Sequence, residues 1–252
     1  MTHTTDPTYS TMANMTPLPT AAAIVGATVV SYAAGWLFSI PALLPLLNTA
    51  ASFPFMVLAL KRGDLGAAIG RMLLWALTLA ICATWLSYRD PAATDRLFLR
   101  GEAYRREMFA WVMTGRGSES MPSVFIPQQA RQTAVFAGLA LASGSILAMP
   151  MGAALMNYMG HYVGALAAAS THPAPALVLG WHPWAVIRIV SFVVLGVLLS
   201  LPVLSRVFAF GADWYRARPL LIAAATGLAA DVMLKWLLAP TWQRLLLRVA
   251  GW

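Results

Sequence analysis

The chain has 252 residues, 60% of them hydrophobic and only 10% charged, where a soluble domain carries about 25% charged residues. Too few polar side chains remain to cover a water-soluble globule, so composition excludes one. The net charge of +8 comes from 17 Lys and Arg against 9 Asp and Glu. In so apolar a chain, basic residues gather at helix ends near anionic headgroups, and no basic run with interleaved aromatics points to nucleic acid.

Lipid is the solvent that suits this composition. Every backbone N–H and C=O must be paired inside it, so only helices or closed barrels cross. A barrel shows short segments of alternating polarity, whereas the apolar runs here are long and unbroken. The expected fold is therefore all-α: a polytopic integral membrane bundle of five to seven spans, with Pro- and Gly-broken helices and one interfacial amphipathic helix. The expected setting is a bacterial-type inner membrane. Cys82 is the single cysteine, which excludes an intramolecular disulfide.

Residues 1–19 are polar, rich in Thr and broken by Pro7, Pro17 and Pro19, and read as a mobile tail. A single membrane domain is expected over 20–239. Its first apolar stretch, Leu18 to Leu60, holds no charge. As one straight helix it would measure ~64 Å, about twice a hydrocarbon core. Pro41 and Pro45 are the expected break, since each removes a helix hydrogen bond. The stretch then forms either a hairpin of two spans or one span with a half-helix. After the polar turn Lys61-Arg62-Gly63-Asp64, a span follows at about 65–88, with Trp85 and Tyr88 as interfacial anchors.

Residues 89–131 are the one sizeable segment expected outside the membrane. Its centre, Arg96 to Met113, reads as an amphipathic helix, with Leu97, Tyr104, Met108 and Trp111 on one face. Glu102 and Arg106 form an i,i+4 pair. Arg100, Arg105, Arg106 and Trp111 are candidates for contact with a partner or with lipid headgroups.

The second long stretch, Gln132 to Ser170, would be ~58 Å if straight, and Pro150 is its expected break. Ala140, Gly144, Ala148, Gly152, Gly160 and Gly164 place small residues at helical spacing, which lets backbones approach closely. Internal helix packing is the first expectation for this stripe, ahead of a dimer face. A Pro-rich loop follows at 171–183, then spans at about 184–204 and 219–239. Pro240 is expected to end the last span, leaving a short amphipathic tail over 240–252. In a seven-span arrangement the turns at 61–71 and 206–218 carry six Lys and Arg, against nine for 89–131 and the C-terminal tail. That bias favours a cytoplasmic 89–131.

Two groups of residues are candidates for chemistry. Asp231 lies within the last span, where a charge costs roughly 2.5–3.5 kcal/mol. Lys235, four residues later, is the expected local partner; a protonatable transport site is the sharper alternative. The second group is Asn157, Tyr158, His161 and Tyr162, expected as a hydrogen-bonded patch between helices. His161 is also a possible haem or metal ligand, with His172 or His182 as second ligand. Met149 and Met151 beside Pro150 suggest a flexible lining for a soft cation. GxSxG, Walker, HExxH and CxxC motifs are all missing from the sequence. No catalytic residue and no resident cofactor are expected.

The leading expectation is a non-catalytic membrane subunit that anchors or scaffolds a larger complex. Its partners would be the bilayer and either other membrane subunits or further copies of the chain. The alternatives are a small permease with a protonatable Asp231, and a cofactor protein built on His161.

Overall fold

The computed structural model describes residues 17–252, and all regular secondary structure in this range is α-helical. The tail expected over 1–19 lies outside the described residues up to position 16, and residues 17–19 already belong to the first helix. In chain order the helices are α1 (Pro17–Phe38), α2 (Leu43–Ala50), α3 (Phe53–Lys61), α4 (Leu65–Arg89), α5 (Pro91–Leu97), α6 (Gly101–Thr114), α7 (Pro122–Ser143), α8 (Ala148–Ala169), α9 (Pro173–Gly180), α10 (Pro183–Phe208) and α11 (Trp214–Ala250). Among the described residues, five segments are long and apolar enough to cross a membrane: Leu18–Phe38, Leu43–Lys61, Leu65–Arg89, Pro183–Phe208 and Trp214–Ala250.

Local chemistry explains most of the boundaries. Asp64 and Asp90 cap α4 and α5 by accepting from the N–H of Ala67 and Ala93 at 2.8 and 2.9 Å, which satisfies a donor that a helix start leaves open. Asp213 caps α11 in the same way through Arg216 N–H. Pro91, Pro122, Pro173 and Pro183 stand in first turns, where a missing N–H costs nothing. Gly115 and Gly144 end α6 and α7 with φ of 70° and 61°, a backbone geometry that glycine adopts without strain.

The first apolar stretch turns at 39–42, as expected from Pro41, and forms a hairpin in which α2 and α3 make up the returning arm. Pro45 does not break the chain; it sits in the first turns of α2. The second stretch differs from expectation. Its break is Gly144–Leu147, with both Gly144 and Ser145 at positive φ. Pro150 lies in the first turn of α8, where its ring has no preceding turn to clash with. The surface helix is split as well: Arg100 adopts a left-handed conformation, so α5 and α6 replace one helix from Arg96. Pro240 does not end α11, which continues to Ala250. The expected C-terminal tail is its last turns, with Arg244 and Arg248 exposed and Leu246 and Ala250 buried.

The turns at 61–64, 144–147 and 209–213 lie at one end of the bundle, where the Lys61 ammonium sits 5.2 Å from the Phe208 ring centroid. α5, α6, α9 and the C-terminal turns of α11 cover the other end. There Gln243 donates to Val112 O, Trp242 to Leu179 O and Thr171 N to Ala250 O. α8 runs through the middle: from Met156 to Ala167 every position but Tyr158 is buried, the mark of a helix enclosed on all sides.

Two glycines of the small-residue stripe seat α8 against α4. A Cβ at Gly160 would fall 2.6 Å from Ala83 Cβ, and one at Gly164 would fall 2.8 Å from Ser87 Cβ. The stripe is not one uniform packing face. Ala140 and Ala148 are buried in a small cluster with Phe136 and Phe192. Gly144 is a helix cap, and Gly152 faces a cavity.

Candidate functional site

Four charged residues from three segments meet inside the bundle, toward the end covered by α6. On α10, Arg188 donates through Nε to Asp231 Oδ2 at 2.8 Å and through Nη2 to Asp231 Oδ1 at 3.0 Å. Gln129 of α7 donates to the same Oδ2. On α11, Lys235 donates to Glu119 Oε1 at 2.8 Å, and Trp184 Nε1 donates to Glu119 Oε2 at 3.0 Å. The Lys235 ammonium also stands 4.9 Å from the Phe125 ring centroid, within cation–π range. Asp231 is wholly buried, and Glu119 and Lys235 are nearly so.

The expected Asp231–Lys235 pair is therefore replaced by two pairs between segments. Asp231 joins Arg188 and Lys235 joins Glu119, because the helix faces that carry them meet other segments within reach. Burial alone would raise the Glu119 carboxyl, but the charges of Lys235 and Arg188 outweigh it and hold Glu119 below its usual value. Each carboxylate is paired and hydrogen-bonded inside the protein, the condition under which buried ions persist.

Beside this network runs an open-sided cavity of about 130 Å³. Both Ala185 and Val197 of α10 line it, which corresponds to ~18 Å along a helix axis. Its deeper walls are apolar. Met56, Met72, Met149, Met156 and Met159 contribute flexible side chains, and Trp75, Phe136 and Phe192 contribute rings. Met151 faces a neighbouring cluster instead. Toward the charged end stand Tyr104, Ser118, Gln128, Gln132, Tyr158 and Arg188. Tyr104 and Tyr158 stack with centroids 5.2 Å apart. A mostly apolar cavity with a few polar groups converging at one end is the usual form of a small-molecule site.

The second group of candidate residues divides among three places. Asn157 belongs to a buried network: Tyr32 donates to its Oδ1, and its amide donates to Asn48 Oδ1 at 3.1 Å. Asn48 in turn donates to Ser31. These bonds tie α1, α2 and α8 together. Tyr158 lines the cavity. Tyr162 is buried, with its hydroxyl 3.4 Å from His182 Nε2. His182 stacks on Trp184, and burial lowers it to about 4.

His161 sits in a chain of its own. Its Nε2 lies 2.8 Å from Asp95 Oδ1, and its Nδ1 lies 2.9 Å from Ser87 Oγ and 3.2 Å from Thr94 Oγ1. An ionised carboxylate only accepts, so Nε2 carries the proton and Nδ1 accepts from the Ser87 hydroxyl, while Thr94 Oγ1 donates to the carbonyls of Asp90 and Pro91. Arg105 completes the chain with a fork onto Asp95 at 2.9 and 2.6 Å. Burial opposes ionisation of Asp95, but the Arg105 and His161 hydrogen bonds prevail and its carboxyl lies below the ordinary range. The order Ser–His–Asp has the connectivity of a nucleophile, base and orienting acid. Ser87, Thr94 and His161 are completely buried, however, so no substrate reaches the hydroxyls. The chain joins α4, α5, α6 and α8. Both ring nitrogens of His161 are taken by protein groups, and His172 is exposed. Among the described residues, no three His, Cys, Asp or Glu side chains gather as a metal site.

The residues expected to meet a partner behave differently from one another. Arg100 is exposed at the start of α6. Arg105 is taken by Asp95, and Arg106 by Glu102 in the expected i,i+4 pair. Trp111 is 1% exposed and points into the bundle.

Arg188, Glu119 and Gln129 were not singled out from the sequence. Arg188 had a signal: it is a lone cation inside the apolar run 184–204, and such a charge requires a carboxylate on another segment. Glu119, in a Gly- and Ser-rich loop, gave no local sign of burial. No protein-family model, curated protein or solved structure matches this chain.

Proposed function

We propose that the protein is a small membrane carrier that binds an amphipathic molecule in the cavity between α7, α8 and α10. The observation behind this reading is the cavity itself, with methionine-rich apolar walls and polar side chains collected at one end. Flexible Met side chains suit apolar tails of varied shape. The charged network holds α7, α10 and α11 around the polar end.

The reading takes the chain through the membrane seven times: α1, α2 with α3, α4, α7, α8, α10 and α11. Five of these segments are apolar enough by themselves. α8 is enclosed by its neighbours, so it meets no lipid and can carry Asn157 and His161. α7 turns Val124, Ile126, Val135 and Leu141 outward, as a lipid-facing helix would.

This is the permease alternative with its centre moved. Asp231 is bound by Arg188 and Gln129, which favours a structural ion over a proton relay. A scaffolding subunit gains less support, because Arg105, Arg106 and Trp111 are used within the chain.

The test is binding of a fluorescent amphipath, dansyl-undecanoic acid, to the full-length protein in phosphatidylcholine nanodiscs. Met156→Trp, which fills the middle of the cavity, should abolish saturable binding. Ile81→Trp, on a face of α4 that is 60% exposed at that residue, should leave it intact. Equal binding by wild type and Met156→Trp would remove the cavity from consideration.

A further inference from the structure

At the polar end of the cavity every carboxylate oxygen already accepts a hydrogen bond from a protein donor, and several donors make none. Asp231 accepts from Arg188 on both oxygens and from Gln129 as well. Glu119 accepts from Lys235 on one oxygen and from Trp184 on the other. By contrast, Arg188 Nη1 makes no hydrogen bond to any described residue, and among the described residues the Lys235 ammonium donates to Glu119 alone. The hydroxyls of Tyr104, Tyr158 and Ser118 and the amides of Gln128 and Gln132 also have no protein partner among the described residues. None of these atoms is sealed away as an unsatisfied buried group; those are Thr84 Oγ1 and Trp111 Nε1.

We infer that the cavity takes an amphipath whose head is anionic and rich in hydrogen-bond acceptors, a carboxylate or a phosphate. The inference rests on the amphipath reading above and adds the head group. The cavity wall carries Arg188, Lys235 and Glu119, two cations to one carboxylate, and Asp231, the fourth and balancing charge, stands behind Arg188 outside the lining. A cationic head would meet a single lining carboxylate, Glu119, whose two oxygens already accept from Lys235 and Trp184, and would face two cations. An anionic head must replace its water with several donors at once, and Arg188, Lys235, Tyr158 and Gln132 offer them. Charge-assisted bonds to a guanidinium are also the stronger kind. The fork onto Asp231 fixes the Arg188 side chain in advance, so little ordering is left for the ligand to impose.

The experiment is competition against dansyl-undecanoic acid in phosphatidylcholine nanodiscs, using laurate, dodecyl phosphate, dodecylamine and dodecanol, which share one tail length. Laurate and dodecyl phosphate should compete at concentrations at least about tenfold below the amine and the alcohol, a factor worth about 1.4 kcal/mol. The double variant Tyr158→Phe, Gln132→Leu removes donors that hold no protein group. It should narrow the gap between laurate and dodecanol severalfold, and its thermal unfolding should match wild type. Adding phosphatidylglycerol to the discs separates the sources: displacement of the probe identifies a bilayer lipid as occupant, and no displacement a free single-chain anion. If dodecylamine competes as well as laurate while Met156→Trp still abolishes binding, the head-group assignment fails and the cavity reading stands. If no saturable binding occurs in the wild type, both fail.

Discussion

Arg188 and Asp231, 43 positions apart in the chain, face each other across α10 and α11 through two parallel hydrogen bonds of 2.8 and 3.0 Å. The Asp231 side chain is completely buried, while that of Arg188 keeps 23% of its surface. Such a pair is worth little against an apolar replacement of both members, but costs about 3–5 kcal/mol when one member is removed.

Asp231→Asn should therefore lower stability strongly, because it leaves the Arg188 charge without its counter-ion. The double variant Arg188→Met, Asp231→Leu should recover most of the loss. Thermal unfolding in detergent measures both. Recovery in the double variant identifies the pair as structural. A fully stable Asp231→Asn would show that the two charges are not coupled.

Acid should destabilise the protein through His182. Its ordinary value is 6.5, and burial lowers it to about 4 in the folded chain. Between these values the unfolded chain takes up a proton that the folded chain refuses. Stability is thus complete above about pH 6.5, falls as the pH drops toward 4, and loses about 3 kcal/mol across that window. Asp95, also held below its ordinary value, loses its contribution only at lower pH. His182→Phe keeps a ring against Trp184 and removes this titration, so the fall of its unfolding temperature between pH 6.5 and 4 should be clearly shallower than that of wild type. An unchanged acid limb in that variant would assign the effect elsewhere.

Glycines at similar helical spacing should respond in opposite directions. Gly160→Ala and Gly164→Ala force a methyl into the Ala83 and Ser87 side chains and the α4 backbone, and overpacking of this kind costs about 1–3 kcal/mol. Gly138→Ala on α7 meets nothing within 4 Å and should gain up to about 1 kcal/mol from helix propensity. Unfolding temperatures of the three single variants decide it. A neutral Gly164→Ala would show that α4 and α8 can separate freely.

Much of the fold was legible because it depends on local rules. Long apolar runs require backbone pairing within each segment, so the helices and the turn at 61–64 follow from composition. The Glu102–Arg106 pair is visible because i,i+4 neighbours on one helix always share a face. Pro150 misled for an equally local reason. A proline breaks a helix interior but is harmless in a first turn, and its position within the helix depends on where Gly144 has already ended the one before.

The site depended on which helix faces meet. Lys235 pairs with Glu119, 116 positions away, and not with Asp231, four positions away. The i,i+4 rule predicts which residues share a face, but not what stands opposite that face. Sequence alone determined an apolar, helical chain with a few charges that have to be paired. Tertiary structure decided the pairing, and with it the cavity, because a buried charge pairs with whatever counter-ion the packing brings within hydrogen-bond reach.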